Sequence, residues 1–331
     1  MSSGTSSLNH SLKKFFFNLL LGVLVLIVGL GSAEILLRLK NANQRNYNIE
    51  MWRYSTLLKK KSDDPQIGHE HRKNVSAKLQ GVEIRLNSLG MRQPEPDLTD
   101  TKRQRVLFLG SSMTLGWGVE EKETLPSRIQ QALADRIQVF NAGIGNYNAN
   151  RYVRMFEREW KNLKPDVVVV HYFVRDGEDL EPGGGNFLLR NSELAVTLYH
   201  LYQINLQKQK GEGNLVEHYQ RAYAPGSPGR EKMEKALARL NELAKENHFA
   251  VILAMTPESH AIDPYPFQFI HDEMKKIAQQ YGWTYVDFTR KLHSVPAETL
   301  WVMPGDPHYN ALGHKLMAEE LLPVLKSVLD K

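Results

Sequence analysis

The segment Arg105–Gly118, with the sequence RVLFLGSSMTLGWG, decides the fold class. Its apolar run at residues 106–109 is typical of a buried strand, and the small residues that follow predict a tight turn into a helix. Such a turn exposes one side chain at the carboxyl edge of a sheet and leaves backbone N–H groups free. It could present Ser112 as a nucleophile, cradle a phosphate as in flavodoxin-like proteins, or be a plain glycine-rich turn.

Outward from this segment, apolar runs alternate with helical patterns. Alternation of this kind predicts a parallel sheet with helices on both faces, a three-layer α/β/α sandwich with about five strands. The predicted strands are Val106–Leu109, Ile137–Asn141, Asp166–Tyr172, Ala250–Met255 and Thr284–Phe288, and the predicted helices are Thr124–Asp135, Asn150–Asn162, Arg230–Asn247 and Phe267–Tyr281.

The stretch 178–229 is longer than a crossover between two strands needs. Segments rich in Gly and Pro, at 182–185 and 225–229, bound it, and residues 192–210 within it have a helical pattern. We expect this insertion to pack beside the serine turn and to form a wall of the substrate groove.

The N-terminal part of the chain predicts a membrane helix. After a tail at 1–14, the apolar run from Phe15 to Ala33 spans about 28 Å as a helix, close to the thickness of a bilayer core. A helical pattern continues to Leu39, which favours a retained single-pass anchor at 15–39, separate from the globular domain, over a signal peptide cleaved after Ala33. Residues 40–103 are polar and mixed, and predict a juxtamembrane connector that leads into a domain at 104–331. Lys and Arg flank both ends of the run, so charge alone does not decide its orientation.

The segment Gly305–His314, with the sequence GDPHYNALGH, identifies a second candidate site. It precedes an amphipathic stretch at 311–329. A turn can direct Asp306 and His308 toward one point, whereas neighbours in a strand alternate faces. A histidine base held by a carboxylate fits the logic of a catalytic triad, although an Asp-Pro-His turn can also simply begin a helix.

Five segments, taken in order, resemble blocks typical of the SGNH (GDSL-like) hydrolase superfamily, and the resemblance covers about residue 82 to the C-terminus. It implies that Ser112 is the nucleophile, His308 the base and Asp306 its orienting partner. The similar segments are Leu86–Arg92, Gly110–Thr114, Asn141–Asn148, Tyr172–Asp176 and Asp306–His308.

Two departures from the family pattern bear on activity. In the Gly110–Thr114 segment, Ser111 stands where the family has Asp. In the Tyr172–Asp176 segment, Arg175 stands where the family has an Asn whose side chain donates to the oxyanion. The resemblance implies an oxyanion site formed by the N–H groups of Ser112 and of Gly145 or Asn146, with Arg175 in place of the amide. We also expect Thr114, Asn148 and His260 to contact substrate.

Composition excludes several other functions. The chain has no cysteine, which excludes disulfides, thiolate catalysis and a lipoprotein anchor. Its formal charge of +5 is scattered, so nucleic acid is not an expected partner. No spacing of residues predicts a metal site, and no cofactor is expected.

The predicted function is therefore a serine esterase, deacetylase or O-acyltransferase that acts on ester groups, such as acetyl groups of a cell-envelope glycan. By resemblance, the protein would sit in the bacterial inner membrane with its catalytic domain in the periplasm. The alternative is an auxiliary protein, weakened by Arg175, that binds glycan or scaffolds polysaccharide modification or export. A membrane-bound acyltransferase or an export protein would be its partner.

Overall fold

A computed structural model describes residues 4–42, 46–180, 186–209, 214–260, 264–304, 306 and 308–331. Its strands are β1 (Lys59–Lys61), β2 (His69–His71), β3 (Val75–Leu79), β4 (Val82–Leu86), β5 (Gln104–Gly110), β6 (Ile137–Gly143), β7 (Val167–Phe173), β8 (Ala250–Thr256) and β9 (Thr284–Asp287). Its helices are α1 (Gly4–Asn41), α2 (Tyr47–Leu57), α3 (Ser112–Leu115), α4 (Leu125–Ala132), α5 (Ala149–Arg158), α6 (Phe187–Asn191), α7 (Glu193–Gln209), α8 (Leu215–Ala222), α9 (Pro228–Asn247), α10 (Gln268–Tyr281), α11 (Thr289–Leu292) and α12 (Ala311–Leu329).

The central sheet has five parallel strands in the order β6-β5-β7-β8-β9. Strands β5, β6 and β7 are buried almost along their whole length, as expected for a parallel sheet covered on both faces. Helices α5 and α9 pack against each other in one layer, and α4 packs against α12 in another. The predicted three-layer α/β/α sandwich is confirmed.

Two glycines allow the serine turn to lie close to the sheet. A Cβ on Gly110 would lie 2.0 Å from Oγ1 of Thr114, and one on Gly143 would lie 2.3 Å from the backbone nitrogen of Leu115. Since both glycines end their strands, helix α3 can pack directly on the carboxyl edge of β5 and β6. Ser112 is therefore held at the edge of the sheet by backbone packing.

The segment 40–103, predicted as a connector, folds against the serine turn. It contains α2 and two antiparallel hairpins, β1-β2 and β3-β4. Five of its buried apolar residues form a cluster with two residues of the turn, and that cluster comprises Tyr54, Leu58, Leu79, Ile84, Leu86, Leu115 and Trp117. The strands are three to five residues long, too short for their alternation to stand out in a polar sequence.

Helix α1 is long and apolar enough to cross a membrane over Leu12–Asn41, and its apolar side chains from Phe15 to Leu30 are exposed on the protein surface. The sequence predicts a helix separate from the globular part, but the last turns of α1 contact that part. The carboxylate of Glu34 accepts hydrogen bonds from the hydroxyl of Ser192 at 2.8 Å and from the backbone N–H of Leu194 at 2.9 Å. Glu34 thereby caps the first turn of α7, because the N–H groups of a first turn have no partner within their own helix.

The insertion at 178–229 comprises α6, α7, α8 and the first residues of α9. Helix α7 packs against both α1 and α2, and α8 packs against α9. The predicted glycine-rich boundary at 182–185 lies outside the described residues. The insertion therefore links α1 to the part of the fold that carries Ser112.

Candidate active site

The side chains of Ser112, His308 and Asp306 form a continuous hydrogen-bonded chain. Oγ of Ser112 lies 2.7 Å from Nε2 of His308, and Nδ1 of His308 lies 2.5 Å from Oδ1 of Asp306. Ser112 begins α3 directly after β5, whereas the other two residues precede α12 near the C-terminus. The fold thus brings together the three side chains predicted as nucleophile, base and orienting carboxylate.

The Asp306 carboxylate determines the tautomer of His308. Oδ1 of Asp306 accepts from the backbone N–H of His308 at 2.9 Å as well as from Nδ1, and both residues are buried. Because a carboxylate only accepts hydrogen bonds, Nδ1 of His308 carries the proton, and Nε2 is left to accept from the hydroxyl of Ser112. This is the tautomer that a general base requires.

Ser112 and His308 line an open cavity of about 410 Å³. Its walls come from the sheet edge, from α2 and from the insertion. The aromatic side chains in the lining are Tyr47, Tyr147, Phe173 and Tyr219. The ionisable side chains around them are Arg175, Asp176, Glu178, His218, Glu258 and His260.

Of the two backbone donors predicted in the Asn141–Asn148 segment, Gly145 and Asn146, only Asn146 lies in the lining of this cavity. Gly145 is the alternative oxyanion donor that the sequence predicts, but its N–H donates to the hydroxyl of Tyr54 at 2.8 Å and is therefore occupied. Asn146 has a φ of 64°, in the left-handed region that favours Gly and tolerates Asn. Ser112 begins α3, so its N–H has no acceptor within that helix.

Arg175 lines the cavity and pairs with a carboxylate, but it is not buried. Its Nε lies 3.1 Å from Oε2 of Glu178, and 53% of its side chain is exposed. Glu178 also accepts from Nε2 of His218 at 2.9 Å. The residue lies at the open rim of the cavity. Within the described residues, its Nη atoms make no hydrogen bond.

The sequence pattern of the GDSL-like lipase/acylhydrolase family matches residues 108–316, more than half of the chain. The chain belongs to this family. It is therefore an ester-acting hydrolase of the SGNH class, and the matched region contains all three residues of the Ser112–His308–Asp306 chain.

No curated protein matches the sequence. Solved structures similar to this SGNH hydrolase include the psychrotrophic esterase EstA from Pseudoalteromonas sp., at 14% identity over 69% of this chain and 100% of that one, with a TM-score of 0.46. A GDSL-like lipase from Bacteroides thetaiotaomicron is 17% identical over 70% and 92%, with a TM-score of 0.43. The acetyl xylan esterase AlAXEase is 17% identical over 67% and 99%, with a TM-score of 0.42.

Two residues expected to contact substrate in this SGNH hydrolase have structural partners instead. Thr114 is buried, and its Oγ1 lies 3.0 Å from Nδ1 of His171. Asn148 caps α5, accepting from the N–H of Arg151 at 3.0 Å and donating to the carbonyl of Glu178 at 2.8 Å. Both lie outside the cavity lining, because the turns that carry them direct their side chains into the protein.

His260 does lie in the cavity lining, opposite the insertion. Its Nδ1 is hydrogen-bonded to the carboxylate of Glu258, and this bond raises the pKa of His260 above its usual value. His260 is partly exposed, whereas the Glu258 side chain is buried. The pair can present a donor to a polar substrate.

Ser111, which stands where the family has Asp, lies beside the carboxyl group of Asp176. The Ser111 side chain is hydrogen-bonded to Asp176, whose Oδ2 also accepts from the backbone N–H of Phe173 at 3.2 Å. Burial raises the pKa of Asp176 well above its usual range, which favours the neutral acid. An Asp at position 111 would place a second carboxylate beside it, whereas a hydroxyl adds no charge.

The walls contributed by α2 and α8 are not evident from the sequence pattern. Tyr47 and Met51 of α2 line the cavity, and the Tyr47 ring lies 6.0 Å from that of His308. A local signal for this helix exists, since Asn46 accepts from the N–H of Ile49 as an N-cap.

Among the described residues, no group of three His, Cys, Asp or Glu side chains could hold a metal ion.

Proposed function

We propose that this protein is a membrane-tethered serine esterase or O-acyltransferase that acts on acetyl or similar ester groups of a cell-envelope glycan. The observation that carries the proposal is the hydrogen-bonded chain from Ser112 through His308 to Asp306 at an open cavity. An intact chain of this kind favours an enzyme over an auxiliary protein that only binds glycan.

In the first step, Oγ of Ser112 attacks the ester carbonyl while Nε2 of His308 takes the hydroxyl proton. The tetrahedral intermediate collapses, the bond to the leaving alcohol breaks, and His308 returns the proton to that alcohol. Asp306 holds the ring and stabilises the imidazolium that forms between the two transfers. The product of this step is an acyl-serine and a free sugar hydroxyl.

In the second step, an acceptor hydroxyl attacks the acyl-serine with His308 again acting as base. Water as the acceptor gives a hydrolase, and a sugar hydroxyl gives a transferase. An acyl group delivered by a membrane-bound acyltransferase partner would enter the same cycle at Ser112. The chemistry of Ser112, His308 and Asp306 is the same in each case.

The cavity lining supports a sugar-bearing substrate. Aromatic faces such as Tyr47 and Tyr219 offer stacking surfaces, and ionisable groups such as Glu258 and His260 offer hydrogen bonds to hydroxyls. At the rim, Arg175 is more than half exposed and adds a positive group. This combination suits a polar or anionic glycan better than a long acyl chain.

The test uses the full-length protein in detergent. We expect a fluorophosphonate probe to label the wild type and not Ser112→Ala, and only the wild type to release acetate from an aryl acetate and from an O-acetylated polysaccharide. Ser294→Ala, at an exposed serine far along the chain, is the matched control and should behave as wild type. Adding an acceptor oligosaccharide separates transfer from hydrolysis.

The proposal would be abandoned if the folded wild type were neither labelled nor active on any of these esters. If wild type and Ser112→Ala were equally labelled, the nucleophile would lie elsewhere. Activity on aryl acetate without activity on acetylated polysaccharides would support esterase activity and contradict a glycan substrate.

A further inference from the structure

The peptide group between Gly145 and Asn146 is held on one side by buried polar side chains from segment 40–103. The carbonyl of Gly145 accepts from Nε2 of His69 at 3.1 Å and from Nζ of Lys59 at 3.3 Å. Both donors belong to the β1-β2 hairpin, and both side chains are buried. The proposed mechanism uses neither of them.

The orientation of that carbonyl determines where the next N–H points. In a trans peptide, the C=O and the N–H lie in one plane and point in opposite directions. Since the carbonyl of Gly145 points toward Lys59 and His69, the N–H of Asn146 points away from them. Asn146 lines the cavity that contains Ser112.

The backbone N–H of Gly145 is also held by a buried side chain, that of Tyr54. Its N–H donates to Oη of Tyr54 at 2.8 Å, and this hydroxyl lies 2.6 Å from Nε2 of His71. Nδ1 of His71 lies 2.8 Å from the carbonyl of Gly90, so it carries the proton and Nε2 accepts from Tyr54. A Cβ on Gly145 would lie 2.5 Å from the Tyr54 ring, so a larger residue would displace the loop.

We propose that Lys59 and His69 are positioning residues for the oxyanion site, because they hold the Gly145 carbonyl so that the N–H of Asn146 faces the developing negative charge. This inference rests on the proposed function. It assigns to the β1-β2 hairpin a role in the reaction itself, exerted through a peptide bond and without contact with the substrate.

The environment of Lys59 supports this role. No described carboxylate pairs with its Nζ, which instead lies 4.6 Å from the centre of the Tyr54 ring. A buried ammonium without a counter-ion is unfavourable, and burial lowers the pKa of Lys59 to about 7. When protonated, Lys59 polarises the Gly145 carbonyl, which makes the N–H of Asn146 a stronger donor. Burial also keeps His69 neutral by lowering its pKa to about 2, so that it donates from Nε2 alone.

The experiment compares Lys59→Met, His69→Leu and His69→Gln with the wild type on an aryl acetate. Gln can still donate a hydrogen bond to the carbonyl, whereas Leu and Met cannot. We expect Lys59→Met and His69→Leu to lower kcat about tenfold or more while KM changes less than about twofold, since the lost interaction acts on the transition state. His69→Gln should recover most of the rate.

A second readout uses an aryl trifluoromethyl ketone, which forms an oxyanion on the attacked carbonyl. In Lys59→Met and His69→Leu, the inhibition constant of the ketone should rise by about the same factor by which kcat falls. The affinity for the product alcohol should stay constant. If Lys59→Met does not fold, as judged by circular dichroism, Tyr54→Phe removes the hydroxyl that orients Gly145 and keeps the ring.

The inference is overturned if the folded Lys59→Met and His69→Leu variants retain wild-type kcat and ketone affinity. It is equally overturned if His69→Gln is as impaired as His69→Leu, since packing and not donation would then matter. Failure of the underlying function gives a different result, namely a wild type that is itself inactive and indistinguishable from Ser112→Ala.

Discussion

Nε2 of His308 lies 2.7 Å from Oγ of Ser112, although 196 residues separate them in the chain. The serine begins a short helix after β5, and the histidine precedes α12. The packing of α12 against α4 and against the sheet brings the two ends together.

Asp306→Asn should lower kcat on an aryl acetate by about 10³- to 10⁴-fold, because an amide can favour the wrong tautomer of His308. The matched control is Asp287→Asn, which alters another His–carboxylate contact, with His271 at 2.9 Å, away from the cavity. We expect the control to keep its activity even if its stability falls. Steady-state kinetics and thermal unfolding of both variants provide the check, and comparable losses of activity would refute a special role for Asp306.

Arg175→Asn should raise the rate on a neutral aryl acetate and lower the preference for esters that carry a carboxylate. The guanidinium is more than half exposed and paired with Glu178, so we expect a change in preference of only about two- to fivefold. Arg221→Asn in α8 removes a similarly exposed Arg outside the cavity lining and serves as control. The ratio of kcat/KM for the two esters is measured. An unchanged ratio in a folded Arg175 variant would mean that this residue does not contact substrate.

Lys59 should make stability depend on pH above neutrality. Burial, followed by the nearby charge of Arg151, lowers its pKa from its usual value to about 7. Between about pH 7 and 10.5 the unfolded chain therefore binds more protons than the folded one, and stability rises with pH. Below pH 7 Lys59 is protonated in both states and contributes no further slope. The titratable and charged groups that face it are Tyr54, His69, His71 and Arg151.

Lys59→Met should therefore flatten the rise in stability between pH 7 and 10. For the wild type this group contributes up to about 1.4 kcal/mol per pH unit, and the variant lacks that contribution. Thermal unfolding in detergent at several pH values, compared between the two proteins, measures the difference. Parallel curves would show that Lys59 keeps an ordinary pKa in the folded protein.

Full-length protein should remain with the membrane fraction and resist extraction with alkaline carbonate, because α1 is apolar and its side chains from Phe15 to Leu30 are exposed. We expect its N-terminus to be intact, since the contacts of Glu34 with Ser192 and Leu194 favour a retained helix. N-terminal sequencing of the purified protein decides the matter. A soluble product that begins at Glu34 would show a cleaved signal peptide.

The amino-acid sequence by itself is sufficient to predict the sheet and the candidate triad. Parallel strands that are covered on both faces are rich in apolar residues, so the mostly buried strands β5, β6, β7 and β8 can be located from residue patterns alone. The edge strand β9 is only partly buried, and its place follows from the alternation of strands and helices. Ser112 follows one of these runs, and Asp306 and His308 lie two residues apart in a turn. Local patterns carry this information, because each predicted feature depends on neighbours within about ten residues.

The tertiary structure decided which neighbouring groups reach the cavity. Gly145 and Asn146 are adjacent and both offer an N–H, but the hydroxyl of Tyr54 occupies that of Gly145. Thr114 follows Ser112 by two residues, yet its side chain is bonded to His171 in the core. These outcomes depend on side chains that are distant in sequence. The sequence sets which donors and acceptors exist, whereas long-range packing determines which of them remain free, because a buried polar group takes the partner that the fold places beside it.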